Sequence, residues 1–140
     1  MRTSSIFISS PDHSKLLALV DSARLDRRIP RESLDLLERE LSRASIVDSS
    51  ELPADVVAMN STVWFRDLDS DEIEKYTLAY PAEADVVRDR ISVLAPIGTA
   101  LLGYRTGDVV QWRVPSGKRS FLIVDVVPNV SEHQFDHAAA

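Results

Sequence analysis

The stretch Arg90-Ile91-Ser92-Val93-Leu94-Ala95-Pro96-Ile97-Gly98-Thr99-Ala100-Leu101-Leu102-Gly103, residues 90–103, passes from strand to helix within a few positions. Arg90–Leu94 reads as a strand. Pro96, with φ preset for a first helical position, opens a short helix that Gly103 closes. Working outward, strands are expected on both sides. Upstream lie Thr62–Arg66 and Lys75–Tyr80, the second alternating Tyr76, Leu78 and Tyr80. Downstream, Val109–Val114 alternates Val110, Trp112 and Val114, and Pro115-Ser116-Gly117-Lys118 makes a hairpin turn. Ser120–Val127 is an almost continuous apolar run, expected as a central strand covered on both faces. The sum is an antiparallel sheet carrying one short helix, an α+β unit.

Further upstream the pattern changes. Residues 11–45 contain no glycine and few β-branched residues, and they read as two helices with a turn. Ser10-Pro11-Asp12 supplies a capping serine, a proline at the first helical position and an early acid. Leu16, Leu17, Val20 and Ala23 then share a face. Leu25-Asp26-Arg27-Arg28-Ile29 is the turn, and Pro30 restarts the helix. Leu34, Leu37, Leu41 and Ala44 follow at spacings of three and four, the seam of an antiparallel pair. Residues 46–53 read as a connection. The expected organisation is a short helical hairpin over 1–50, the sheet unit over 51–130, and a tail over 131–140 without ordered structure.

Composition narrows the chemistry. Cysteine is absent, which removes disulfides, thiol nucleophiles and cysteine-based zinc sites. No stretch approaches the roughly 20 apolar residues of a membrane span, and the N-terminus lacks a secretory signal, so a cytoplasmic location is expected. The net charge of −6 argues against a dedicated sequence-specific nucleic-acid binder. Acids concentrate in residues 51–90, ten against four bases, whereas 24–31 places Arg24, Arg27, Arg28 and Arg31 against Asp26 alone. The histidines, His13, His133 and His137, stand in no triad or metal-binding context. Asp67, Asp69, Asp71, Glu72 and Glu74 lack the mid-loop glycine of a calcium loop and read as a solvated turn. Neither a catalytic residue nor a cofactor or metal site is expected, and a binding module is favoured over an enzyme.

Five separated blocks then carry a resemblance. They are Met59-Asn60-Ser61-Thr62-Val63, Tyr76 through Asp85 (YTLAYPAEAD), Ile91 through Gly103, Gly107-Asp108-Val109-Val110, and Pro115-Ser116-Gly117 with Phe121–Val127. In order and spacing they resemble the C-terminal domain of the Gre transcript-cleavage factors, which implies an FKBP-like fold. Asp55-Val56-Val57-Ala58 before them, the short hairpin, and Ala95-Pro96 where Gre factors have Ser-Pro are similar to the regulator of nucleoside diphosphate kinase (Rnk) branch.

The resemblance implies a partner: bacterial RNA polymerase, bound at the rim of its secondary channel in competition with Gre factors. Gre-type domains grip that rim with the turn before the short helix, which maps onto Leu94, Ala95, Pro96 and Ile97, with Leu101 on the helix. Gre factors also carry acids at a long coiled-coil tip that help hold a catalytic magnesium ion, whose ligand oxygens must lie within about 2 Å. Here the hairpin is short and the tip holds Asp26 between Leu25 and Arg27-Arg28. A monomeric regulator without transcript-cleavage activity is expected. The alternatives are a cleavage factor using Asp26 or Asp21, a peptidyl-prolyl isomerase, disfavoured because no aromatic-lined proline pocket is evident, and an interaction module independent of polymerase.

Overall fold

The computed structural model describes residues 5–114 and 116–129. Its first strand, β1 (Phe7–Ser9), runs straight into α1 (Ser10–Ala23). Ser9 serves both elements. Its backbone is extended and its Oγ accepts the Asp12 N–H at 3.3 Å, so the helix cap stands one residue before the expected Ser10. Leu16, Val20 and Ala23 face inward, whereas Leu17, expected beside them, is 41% exposed. After the turn, α2 (Arg31–Arg43) buries Leu34, Leu37 and Leu41 at the anticipated spacing. The segment expected as a plain connection then forms a short strand, β2 (Ser45–Val47), which pairs in parallel with β1 through Phe7↔Ser45, Ile8↔Ile46 and Ser9↔Val47. The two feet of the helical hairpin are thereby clasped together.

The remaining strands are β3 (Thr62–Asp67), β4 (Ile73–Ala79), β5 (Arg90–Ser92), β6 (Val109–Val114) and β7 (Gly117–Val127), ordered β5-β4-β3-β7-β6. The sheet is mixed, which corrects the antiparallel expectation: β5 lies parallel to β4, pairing Thr77↔Arg90 and Ala79↔Ser92. A parallel neighbour needs a crossover instead of a tight turn. Two single-turn 3₁₀ segments, Pro81–Glu83 and Val86–Arg88, supply it by carrying the chain back to the same sheet end.

β7 is central as expected, between β3 and β6, but it is covered on one face only. Phe121, Ile123 and Val126 are buried, while Val124 and Val127 are exposed. The phase changes because the pairing with β3 slips between Trp64↔Asp125 and Phe65↔Ile123. Such a bulge inserts one residue and turns the next inward position by one. An apolar run therefore need not mean two buried faces. Pro115 of the β6–β7 turn and the 131–140 tail lie outside the described residues.

One apolar cluster joins the hairpin to the sheet: Ile6, Leu16, Val20, Leu37 and Leu41 belong with Val57, Met59, Val63, Val93, Leu101 and Ile123. Hydrogen bonds cross the same boundary. Asp12 accepts from the Tyr80 hydroxyl at 3.2 Å and the Met59 N–H at 3.4 Å, and Arg43 donates to the Tyr104 hydroxyl at 2.6 Å. Gly103, at φ 85°, lies so close to the chain start that a Cβ would sit 2.7 Å from Ile6 Cβ. Among the described residues no helix is long and apolar enough to cross a membrane.

Candidate functional site

The turn between β5 and α3 (Pro96–Leu101) is tightly built. Ser92 Oγ accepts the Leu94 N–H at 3.0 Å, and its carbonyl accepts the Ala95 N–H at 3.0 Å. Thr99, buried on the helix, donates through its hydroxyl to the Val93 carbonyl at 2.6 Å. Gly98 allows this closeness: a Cβ there would fall 2.2 Å from the Ser92 carbonyl oxygen. Strand end and helix start are thus held against each other, and the residues between them have little freedom.

The surface this turn presents is small. Pro96 is exposed, and Leu94, Ala95 and Ile97 are half-buried. Leu101, expected with them, has 0% exposure and lies in the apolar cluster, so it props the turn from beneath and offers no surface. Ala95 holds the extended backbone (φ −70°, ψ 147°) that the residue before a proline prefers.

Beside the turn is a cleft of about 330 Å³, of which Ile97 forms one wall. Its floor is aromatic. Trp112 stacks on Phe121 with centroids 4.1 Å apart, Phe65 meets Phe121 edge-on at 5.2 Å, and Tyr76 tilts against Phe65 at 5.7 Å. Asp67, Glu72, Glu74 and Arg119 complete the lining. Asp67 corrects the reading of its neighbourhood as a solvated turn, because it is 3% exposed. Its carboxylate accepts the N–H groups of Asp69 and Ser70 and forms an ion pair with Arg119. Tyr76 donates its hydroxyl to Glu74 at 3.2 Å; burial first, and the Glu74 charge next, raise the phenol above its usual pKa. Alternation along β3, β4, β6 and β7 puts these aromatics on one face, but the chain alone does not reveal that the face continues past its helix. The pairing of Asp67 with Arg119 spans 52 positions and leaves no local signal.

At the hairpin tip, Asp26 and Arg28 are brought together and Arg27 is left exposed. Arg28 donates its backbone N–H and Nε to Asp26 Oδ1 at 2.9 and 3.0 Å, and a terminal guanidinium nitrogen to Oδ2 at 2.9 Å. These side-chain bonds, then the backbone bond, hold the Asp26 carboxyl below the usual range. Both oxygens are engaged within the tip. Arg24 reaches across to Asp35 and Glu38 on α2 at 3.0 and 2.7 Å. Among the described residues no group of three or more His, Asp or Glu side chains is placed to hold a metal ion.

Comparison with known proteins gives two family matches. The family described as "Transcription elongation factor, GreA/GreB, C-term" matches residues 52–128, and "Rnk N-terminus" matches residues 4–47. The chain is 46% identical over 90 residues to the regulator of nucleoside diphosphate kinase of Escherichia coli (strain K12), covering 64% of this chain and 66% of that protein. It is 40% identical over 106 residues to transcription elongation factor GreA of Clostridium botulinum (strain Eklund 17B / Type B), covering 76% of this chain and 66% of that protein. The matches thus span a little under two thirds of these curated relatives. Among solved structures, a prokaryotic transcription elongation factor GreA/GreB from Nitrosomonas europaea aligns with a TM-score of 0.72 at 42% identity, over 90% of this chain and 100% of that one.

Proposed function

Since the chain belongs to the GreA/GreB C-terminal family, with an Rnk-type N-terminal segment, we propose that it is a transcription regulator that binds bacterial RNA polymerase. It docks at the rim of the secondary channel through the turn at Leu94, Ala95, Pro96 and Ile97, competes there with Gre factors, acts as a monomer in the cytoplasm, and does not stimulate transcript cleavage. The observation that carries the docking reading is the rigidity of that turn. Pro96 projects from a loop fixed by Ser92, Gly98 and Thr99, so little conformational entropy is lost when a partner closes on it. The absence of cleavage rests on Asp26, whose two oxygens are taken up by Arg28 and would have to leave it to reach a metal.

The test is binding to core RNA polymerase in competition with a Gre factor, for wild type and Pro96→Asp. Wild type is expected to bind and displace the Gre factor, and the variant to lose at least about tenfold in affinity with unchanged thermal stability, as for a central contact. Equal binding by both removes the docking turn; no binding by wild type removes the function. Stalled elongation complexes supplied with the protein and magnesium are expected to release no short 3′ RNA fragments above background. Release of fragments that Asp26→Asn or Asp21→Asn abolishes would favour the cleavage factor instead.

The aromatic-floored cleft supplies the feature whose absence from the sequence counted against an FKBP-like isomerase. Shared architecture is weak support for shared chemistry. A proline-peptide isomerisation assay is expected to show no acceleration, and acceleration would restore that reading.

A further inference from the structure

The inner face of the sheet outruns its cover. β7 extends over 11 residues and α3 over 6, and the cleft opens beside the first turn of the helix, at Ile97. Its lining includes Trp112 and Tyr76, both half-buried, which pack against the buried rings of Phe121 and Phe65. Its charge is lopsided. Arg119 is matched by Asp67, but among the described residues neither Glu72 nor Glu74 forms an ion pair, and both line the opening. An apolar or anionic guest would be set against two unmatched carboxylates. A cation would meet the negative faces of the rings and the carboxylates together.

We propose that this cleft receives a basic side chain, arginine in preference to lysine, presented by a protein partner. The protein's own Arg119 displays the same mode: its guanidinium carbon lies 6.0 Å from the Phe121 ring centroid while the group pairs with Asp67. A planar guanidinium stacks on a ring and offers a fork of donors to a carboxylate at once, which a lysine ammonium does not. Because Ile97 walls both the cleft and the docking turn, the inference rests on the docking reading for the partner's identity. For the chemistry of recognition it rests on the cleft alone.

The experiment titrates the full chain with N-acetyl-arginine amide, following the indole N–H signals of Trp112 and Trp64 by NMR. The neutral N-acetyl-citrulline and N-acetyl-proline amides are the comparison probes. The arginine probe is expected to move Trp112 saturably and leave Trp64 still. The neutral probes should move neither indole signal, and Glu72→Gln/Glu74→Gln should weaken the arginine response on the order of tenfold. Both glutamates are exposed, so that variant keeps the fold. An equal response to citrulline or proline amide, or none to arginine, overturns the proposal. If Trp112 answers arginine but wild type fails to bind polymerase, the cleft stands and the docking reading falls. If polymerase binds and Trp112 stays silent, the reverse holds.

Discussion

Gly98 shows how one absent methyl group shapes the turn proposed for docking. Gly98→Ala would gain about 1 kcal/mol in helix propensity but would place a carbon 2.2 Å from a backbone oxygen that no side-chain rotation moves. Overpacking of this kind typically costs about 1–3 kcal/mol, so strain wins. A lower denaturant midpoint is expected, together with weaker polymerase binding as the turn shifts. Tyr80 gives a pH effect. Burial, and secondarily Asp12, raise its pKa above the ordinary value of about 10. The unfolded chain therefore loses the proton first, and the contribution is intact below about pH 10 and declines as pH rises beyond it. Tyr80→Phe is expected to flatten the alkaline fall in unfolding free energy, leaving the share due to Tyr76, when both proteins are unfolded in urea at a series of alkaline pH values. Neither effect is visible from sequence, because each depends on a neighbour brought close only by folding: Ser92 for Gly98, Asp12 for Tyr80.

Elements with several turns of periodic pattern were legible. Leu34, Leu37 and Leu41 named the buried side of α2, and Pro96 named the start of α3. The misses share a cause. β1 and β2 are each three residues long, too short to show a period of two, and pair with each other across the whole hairpin; β5 lies within the expected strand Arg90–Leu94, and only its parallel pairing with β4 escaped. In β7 the bulge mixed two phases into a run that looked uniformly apolar. The turn residues Leu94 to Ile97 were named on resemblance, which placed a surface contact and a core residue, Leu101, side by side without separating them. At this scale Asp12 ties α1 by hydrogen bonds to the segments flanking β3 and β4. Asp12→Ala deprives the Tyr80 hydroxyl and the Met59 N–H of their acceptor and should cost about 1–3 kcal/mol in urea unfolding. Asp12→Asn keeps an acceptor oxygen and should lose less.

Among the described residues hairpin and sheet share one apolar cluster, so the two should melt together. Far-UV circular dichroism is dominated by α1 and α2, whereas Trp64 and Trp112 fluoresce from the sheet. The two signals are expected to give coincident denaturant midpoints, and separated midpoints would show that the hairpin opens on its own. The cleft could not have been anticipated, because it exists only where a sheet face, the start of a helix and an ion pair between distant residues converge. The β1–β2 clasp bears on how such a molecule can change over generations. With the feet fixed through Ile8↔Ile46 and the Ser45 N–H bonded to the Ile6 carbonyl at 2.9 Å, the base of the hairpin is independent of what lies beyond it. Adding seven residues to each arm would extend the reach by roughly 10 Å at 1.5 Å per residue while leaving the socket unaltered. Reach is thus an adjustable trait, open to lengthening or trimming in whole turns, on a mount that need not be reinvented.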